Sequence, residues 1–181
     1  MPSQHYLDNC LVQLRNLKEL ADKAVVQLMD DALYHQLNPQ SNSVAVIMIH
    51  MAGNLHSRWT DFLTTDGEKP DRNRDREFVV GDYNTREHLL QRWEAGWHCA
   101  FSAIASLTPA DLRRKVRIRS EPHSVIEAIN RQLTHNAYHV GQIVYLARFL
   151  AGADWETLSI PRGESDAYNT AMRSTFGSDE I

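Results

Sequence analysis

Apolar residues recur at three- and four-residue steps in four stretches of the chain, the spacing that builds one buried stripe along a helix. Strand-type alternation is nearly absent. In the first stretch Leu7, Leu11, Leu14, Ala21, Val25 and Leu28 form the stripe and Asn38-Pro39 follows as a stop signal, which predicts a helix over 2–33. The second stretch follows Ser41-Asn42-Ser43, a cluster rich in N-cap oxygens. It places Ile47, His50, Met51, Asn54, Leu55, Arg58 and Phe62 on one side, with an end near Thr65. From Asp66 to Tyr83 the chain is charged and carries Gly67, Pro70 and Gly81, so an exposed connection is expected there, long enough to join parallel neighbours.

Asn84 with Glu87 has the form of a capping box, after which Leu89, Leu90, Trp93, Trp97, Ala100, Phe101 and Ile104 build a third helix. Thr108-Pro109 opens a turn. Lys115 to Arg119 (KVRIR) alternates weakly, as a short strand does. Ser124 and Glu127 then supply a second capping box for a fourth helix that runs to Ala151 and stops at Gly152. Four long helices with little strand signal favour an all-α four-helix bundle, forming one domain over residues 1–181. Pro161, Gly163 and Gly177 break the pattern, so 152–181 is expected to pack over the bundle as an irregular tail.

Composition narrows the classes of function. With 43% hydrophobic and 23% charged residues the chain is too apolar to be disordered, and 181 residues suit one domain with a sizeable core. A net charge of −4, with Lys and Arg dispersed, gives no patch for gripping nucleic-acid phosphates. The opening MPSQHYLDNC has no apolar signal core and no long apolar run follows, so a soluble cytoplasmic protein without a membrane partner is expected. Cys10 and Cys99 sit among apolar neighbours and read as reduced core residues.

The chemistry lies in the histidines. His135 and His139 are four residues apart, so they emerge one turn apart on one helix face. With Ile129 at zero and about 100° per residue, Leu133, Val140 and Ala147 fall within about 40° of it, while His139 and His135 lie near −80° and −120°, beside the stripe. His50 lies inside the stripe of the second helix, where each buried ring nitrogen needs a partner. Two readings satisfy this pattern: a shared metal ion, or a core histidine bonded to the main chain with an exposed pair beyond it. The other six look less useful, since His88 and His98 oppose the Trp93 and Trp97 stripe, His56 lies off its own stripe, and His5, His35 and His123 sit near helix ends. Thr134 to His139 is not the zinc-protease signature, because Asn136 stands where that mechanism needs a glutamate.

His50 in a second helix, followed by H-N-A-Y-H-V-G-Q-I at 135–143 in a fourth, resembles the DinB/YfiT-like superfamily. The strings G-N-L-H-S-R-W-T-D-F-L-T-T-D-G-E-K-P at 53–70, R-D-R-E-F at 74–78 and L-S-I-P-R-G-E-S at 158–165 are closest to an uncharacterised branch of it. This resemblance implies an up-down-down-up bundle, a metal triad at His50, His135 and His139, and homodimers. It further implies activities such as thiol-dependent transfer or isomerisation with low-molecular-weight thiols, or metal-dependent hydrolysis.

Three imidazoles on a divalent ion leave a position open, as in catalytic sites, and imidazole suits zinc and nickel alike. Asn54 and Arg58 follow His50 on the same inward stripe and are expected to line a substrate pocket, although bonds to the 66–83 connection or to Asp61 or Glu94 would equally account for them. Trp59, Trp93 and Trp97 read as core. The tail from Ser159 to Ser165, with Arg162 as an anion contact, either covers the metal mouth or forms a surface arm. The leading expectation is a metal-dependent enzyme acting on a small thiol or thiol-derived substrate. Its rivals are a small-molecule hydrolase and a non-catalytic dimeric binding or stress-response protein.

Overall fold

The computed structural model describes residues 2–79 and 85–177. Helix α1 (Pro2–Val25) buries Leu7, Cys10, Leu14, Ala21, Ala24 and Val25. The helix expected to reach Leu33 is divided, because Met29 is extended (φ −71°, ψ 161°) and starts a separate α2 (Asp30–Tyr34). Asp30 and Asp31 occupy the first turn of α2, where carboxylates complement the helix dipole.

Helix α3 (Val44–Trp59) starts at Ser43, whose Oγ accepts the Val46 amide at 3.2 Å. It is buried almost all round, including Met48, Ile49, Met51 and Leu55, which makes it the central helix. It ends before the expected Thr65, because Thr60 is extended and Asp61 is left-handed (φ 46°). Helix α4 (Arg86–Ala105) is capped by Thr85, whose hydroxyl accepts the His88 amide. The expected capping box from Asn84 lies outside the described residues.

Strand β1 (Lys115–Ile118) pairs antiparallel with β2 (Glu121–Ser124), with Val116 opposite His123. The partner strand, EPHS, carries no alternation that would mark it in the sequence. Helix α5 (Val125–Ala151) carries the expected capping box between Ser124 and Glu127 and stops at Gly152, which is left-handed (φ 59°). The tail is not irregular throughout: Pro161 and Gly163 interrupt only its start, and Ser165–Phe176 forms α6, exposed along its length.

The four long helices pack as a ring in which α1 touches α4 and α5, and α3 touches the same two from the other side. Trp93, Trp97, Leu14 and Ile129 fill the interior without solvent exposure. Where α3 meets α4, Gly96 lies against the main chain of Ala52, and a Cβ there would overlap it. Among the described residues no helix is long and apolar enough to cross a membrane.

The connection after α3 is exposed at 70–71, 73–76 and 79, as expected, but it is anchored at two buried points. Ser57 Oγ donates to the Gly67 carbonyl at 2.8 Å, the Gly67 amide donates to Arg117 O of β1 at 2.8 Å, and both Gly67 and Glu77 are buried. Part of the charge is turned inward, where Arg72 pairs with Glu68 and Glu77. The β1–β2 turn is the two-residue pair Arg119-Ser120, both left-handed (φ 55° and 67°) and neither a glycine. Such backbone costs about 1–3 kcal/mol per residue. Asp66 offsets it by accepting the Arg119 amide at 2.8 Å and the Ser120 amide at 2.7 Å.

Two glycines in long helices are expected to respond with opposite signs. Gly96→Ala forces α3 and α4 apart, an overpacking cost of about 1–3 kcal/mol that outweighs the gain in helix propensity. Gly141 has nothing within 4 Å of an added Cβ, so Gly141→Ala stabilises by up to about 1 kcal/mol. Denaturant midpoints check both, and equal effects of one sign would contradict the packing described.

Candidate metal centre

Helices α3 and α5 bring three imidazoles together. His50 comes from the buried face of α3, and His135 and His139 come from adjacent turns of α5. One nitrogen of each lies within 4.8 Å of the others. Ring centroids are 5.5 Å apart for His50 and His135, 5.1 Å for His50 and His139, and 4.6 Å for the pair on α5. The burial of Ile129, Val140 and Ala147 on α5 turns both of its histidines toward α3 from the edge of the core. Among the described residues this is the only group of three or more His, Cys, Asp or Glu spaced to hold a metal ion.

Two of the three rings, His50 and His139, are oriented by what their other nitrogen touches. His50 Nδ1 lies 2.8 Å from Glu77 Oε2, on a short 3-10 turn (Arg74–Phe78) capped by Asn73, whose side chain accepts the Arg76 amide. Arg72 grips the same carboxylate with two bonds, Nε to Oε1 at 2.8 Å and Nη2 to Oε2 at 2.9 Å. Gly53 gives the carboxylate room, since a Cβ there would collide with Glu77 Oε1. Burial alone would raise the Glu77 pKa, but the bonds from His50 and Arg72 outweigh it and hold the group below the usual range. Glu77 is therefore ionised and only accepts. His50 Nδ1, which faces this acceptor, donates to it, and Nε2 is the nitrogen left for another ligand.

His139 is held in the same way, with Nδ1 2.8 Å from Gln142 Oε1. Burial lowers its pKa, with His50 acting in the same direction and the bond to Gln142 opposing them. His135 Nδ1 is buried without a hydrogen bond. Burial, followed by the neighbouring His139 and His50, pushes the His135 pKa down to about 4. Proton competition for the two imidazoles of α5 is thus weak at neutral pH, and the three-histidine donor set fits a divalent ion.

A cavity of about 410 Å³ opens beside His50 and His135. Asn54 and Arg58 both line it. Arg58 bonds the Gly67 carbonyl at 2.5 Å and Glu68 Oε2 at 2.7 Å, rather than Asp61 or Glu94. Asn54 Oδ1 accepts from Gln132 Nε2 at 3.2 Å, in a buried amide chain that also joins Trp59 Nε1 and Asn136 Oδ1. Trp93 and Trp97 are core, whereas Trp59 is buried and also forms part of the cavity wall. Ser159 to Ser165, with Arg162, is absent from the lining, and Arg162 is exposed.

Sequence reasoning missed Glu77, Arg72, Gln142 and Gln132. Gln142 was within reach, since it stands three residues after His139 on one helix face. Glu77 lies in a stretch whose charge reads as solvent exposure, and only the tertiary fold reveals its partner.

The shifted groups set the acid response. His135 takes up its proton near pH 4 in the folded chain and near 6.5 once unfolded, so between those values the unfolded state binds more protons and stability falls as pH is lowered. Glu77 acts in the same direction below its ordinary 4.5. The thermal midpoint of metal-free protein is expected to drop between pH 6.5 and 4, with a shallower drop in His135→Gln. Identical slopes in the two proteins would contradict this account.

No curated protein matches the chain. The family described as "Protein of unknown function (DUF1572)" matches residues 2–164, nearly the whole chain, and the protein belongs to that family.

Proposed function

We propose that the protein is a metal-dependent enzyme of the DinB/YfiT-like superfamily. In this reading its ring of helices is an up-down-down-up four-helix bundle, and His50, His135 and His139 hold one divalent ion, zinc or nickel. The observation that carries the proposal is the tautomer control. A carboxylate on His50 Nδ1 and an amide oxygen on His139 Nδ1 leave the second nitrogen of each of these rings for a ligand, beside His135.

The ion, when bound, supplies a Lewis acid with an open position that lowers the pKa of a thiol or a water placed there. The protein's own groups do the rest. Glu77 fixes the His50 ring and increases its basicity, and Arg72 keeps Glu77 ionised and in place. Trp59, Phe62, Val116 and Ile118 form an apolar part of the cavity wall. Asn54 and Arg58 stand as substrate contacts. Asn54 is anchored through its oxygen, which leaves its amide nitrogen for a ligand, and Arg58 is braced by Glu68. The substrate class we favour is a small thiol or thiol-derived compound, with hydrolysis by an activated water as the rival outcome of the same site.

Elemental analysis of protein purified without an affinity tag tests the centre. Stoichiometric metal is expected in the wild type and none in His50→Ala or His139→Ala, with the helical circular dichroism retained. Glu77→Gln should weaken metal affinity about 10–100-fold, as loss of a partner to a ligating histidine does. A wild type that retains no metal under metal-replete purification sinks the reading. Incubating metal-loaded protein with electrophiles, with and without low-molecular-weight thiols, then separates the chemistries, because turnover indifferent to thiol rules out transfer.

A further inference from the structure

The wall of the cavity beside the histidines is rich in arginine. Arg58, Arg72, Arg74, Arg117, Arg119 and Arg131 all line it, and among the described residues no Asp or Glu does. Four carboxylates stand behind or beside them. Glu68 Oε2 is shared by Arg58 at 2.7 Å, Arg72 at 3.3 Å and Arg119 at 3.2 Å. Glu77 is taken by Arg72, Asp75 lies 3.9 Å from Arg74, and Asp66 accepts main-chain amides of the hairpin turn. Six guanidiniums against four carboxylates leave two positive charges in excess, on a chain whose net charge is −4.

The excess falls on particular side chains. Arg117 Nη1 donates only to the Ser120 carbonyl, at 2.9 Å, and the Arg131 guanidinium makes no ion pair or hydrogen bond among the described residues. Both are exposed at the mouth, where a ligand can reach them. Arg131 lies one helical turn before His135 on α5, about 6 Å along the axis. Arg119 occupies a left-handed turn position that Asn or Gly would fill more readily, held there by Asp66. A solvated surface would scatter such charges, whereas here the hairpin and α5 bring them to one hollow.

We infer that this cavity binds a small organic anion carrying two or more carboxylate or phosphate-type groups, with its charged end on Arg117, Arg119 and Arg131 and its other end toward the histidines. A guanidinium matches either group through paired N–H bonds, and about 410 Å³ suits a metabolite-sized ligand. Only the direction in which the ligand lies rests on the reading of the histidines as a reaction centre. The affinity for anions does not.

Calorimetric titration of metal-free, full-length protein at fixed ionic strength tests the inference, with tricarballylate as the carboxylate probe, methylenediphosphonate as the phosphate-type probe and neutral succinamide as the control. At least one anion is expected to bind, with no binding by succinamide. Arg131→Gln and Arg119→Gln should each weaken that binding about tenfold. Arg92→Gln, on the exposed face of α4 and away from the cavity, should leave it unchanged. The more tightly bound probe identifies the anionic group. If neither anion exceeds succinamide, or if all three variants behave alike, the inference is overturned. Anion binding by a protein that never retains metal would uphold it while removing the proposed metal centre, so the two failures are distinguishable.

Discussion

The ion pair between Arg72 and Glu77 is the constraint on which the site depends. A carboxylate as deeply buried as Glu77 is costly unless its charge is matched, and leaving such a charge uncompensated costs about 3–5 kcal/mol. Arg72 matches it through two parallel bonds, which also fix the plane in which the carboxylate meets His50. The ring of His50 can face its neighbours on α5 in one orientation and one tautomer because that plane is fixed.

The segment between α3 and α4 acts as a strap rather than a link. Within a dozen residues Asp66 secures the hairpin turn, Gly67 bridges α3 to β1, Glu68 gathers three guanidiniums and Glu77 orients a histidine. Each contact is modest singly, yet together they join α3, the hairpin and the cavity wall into one unit. The hairpin then supplies two of the arginines at the mouth, so a charged stretch of sequence governs how the hollow beside the histidines is shaped and polarised.

Much of this is legible in the chain alone. Helical periodicity locates all four long helices, because burying one face leaves a repeat that survives in sequence, and the Ser124 and Glu127 box marks the start of α5 to the residue. Stripe positions put His50 inside one buried face and His135 and His139 beside another, and the family resemblance singles out these three of the nine histidines. What stays hidden is set by partners distant in sequence. Glu77 resembles any surface acid until Arg72 and His50 close on it, and Asp66 resembles a loop residue until the Arg119-Ser120 amides reach it. The division of α1 from α2 at Met29, the early end of α3 at Thr60 and the helix in the tail are local backbone choices that a hydrophobic pattern does not encode.

Gly53 connects the helix interior to this chemistry in a way that its position does not advertise. It ligates nothing and bonds nothing through a side chain, yet the hollow it leaves on α3 is the seat of the Glu77 carboxylate. Any larger residue there would evict the acid while the surrounding helix, rich in good packing, remained intact. The His50 imidazole would then be free to rotate and to exchange its proton between nitrogens, so a defect in one hydrogen atom's address would arise from a change in shape alone.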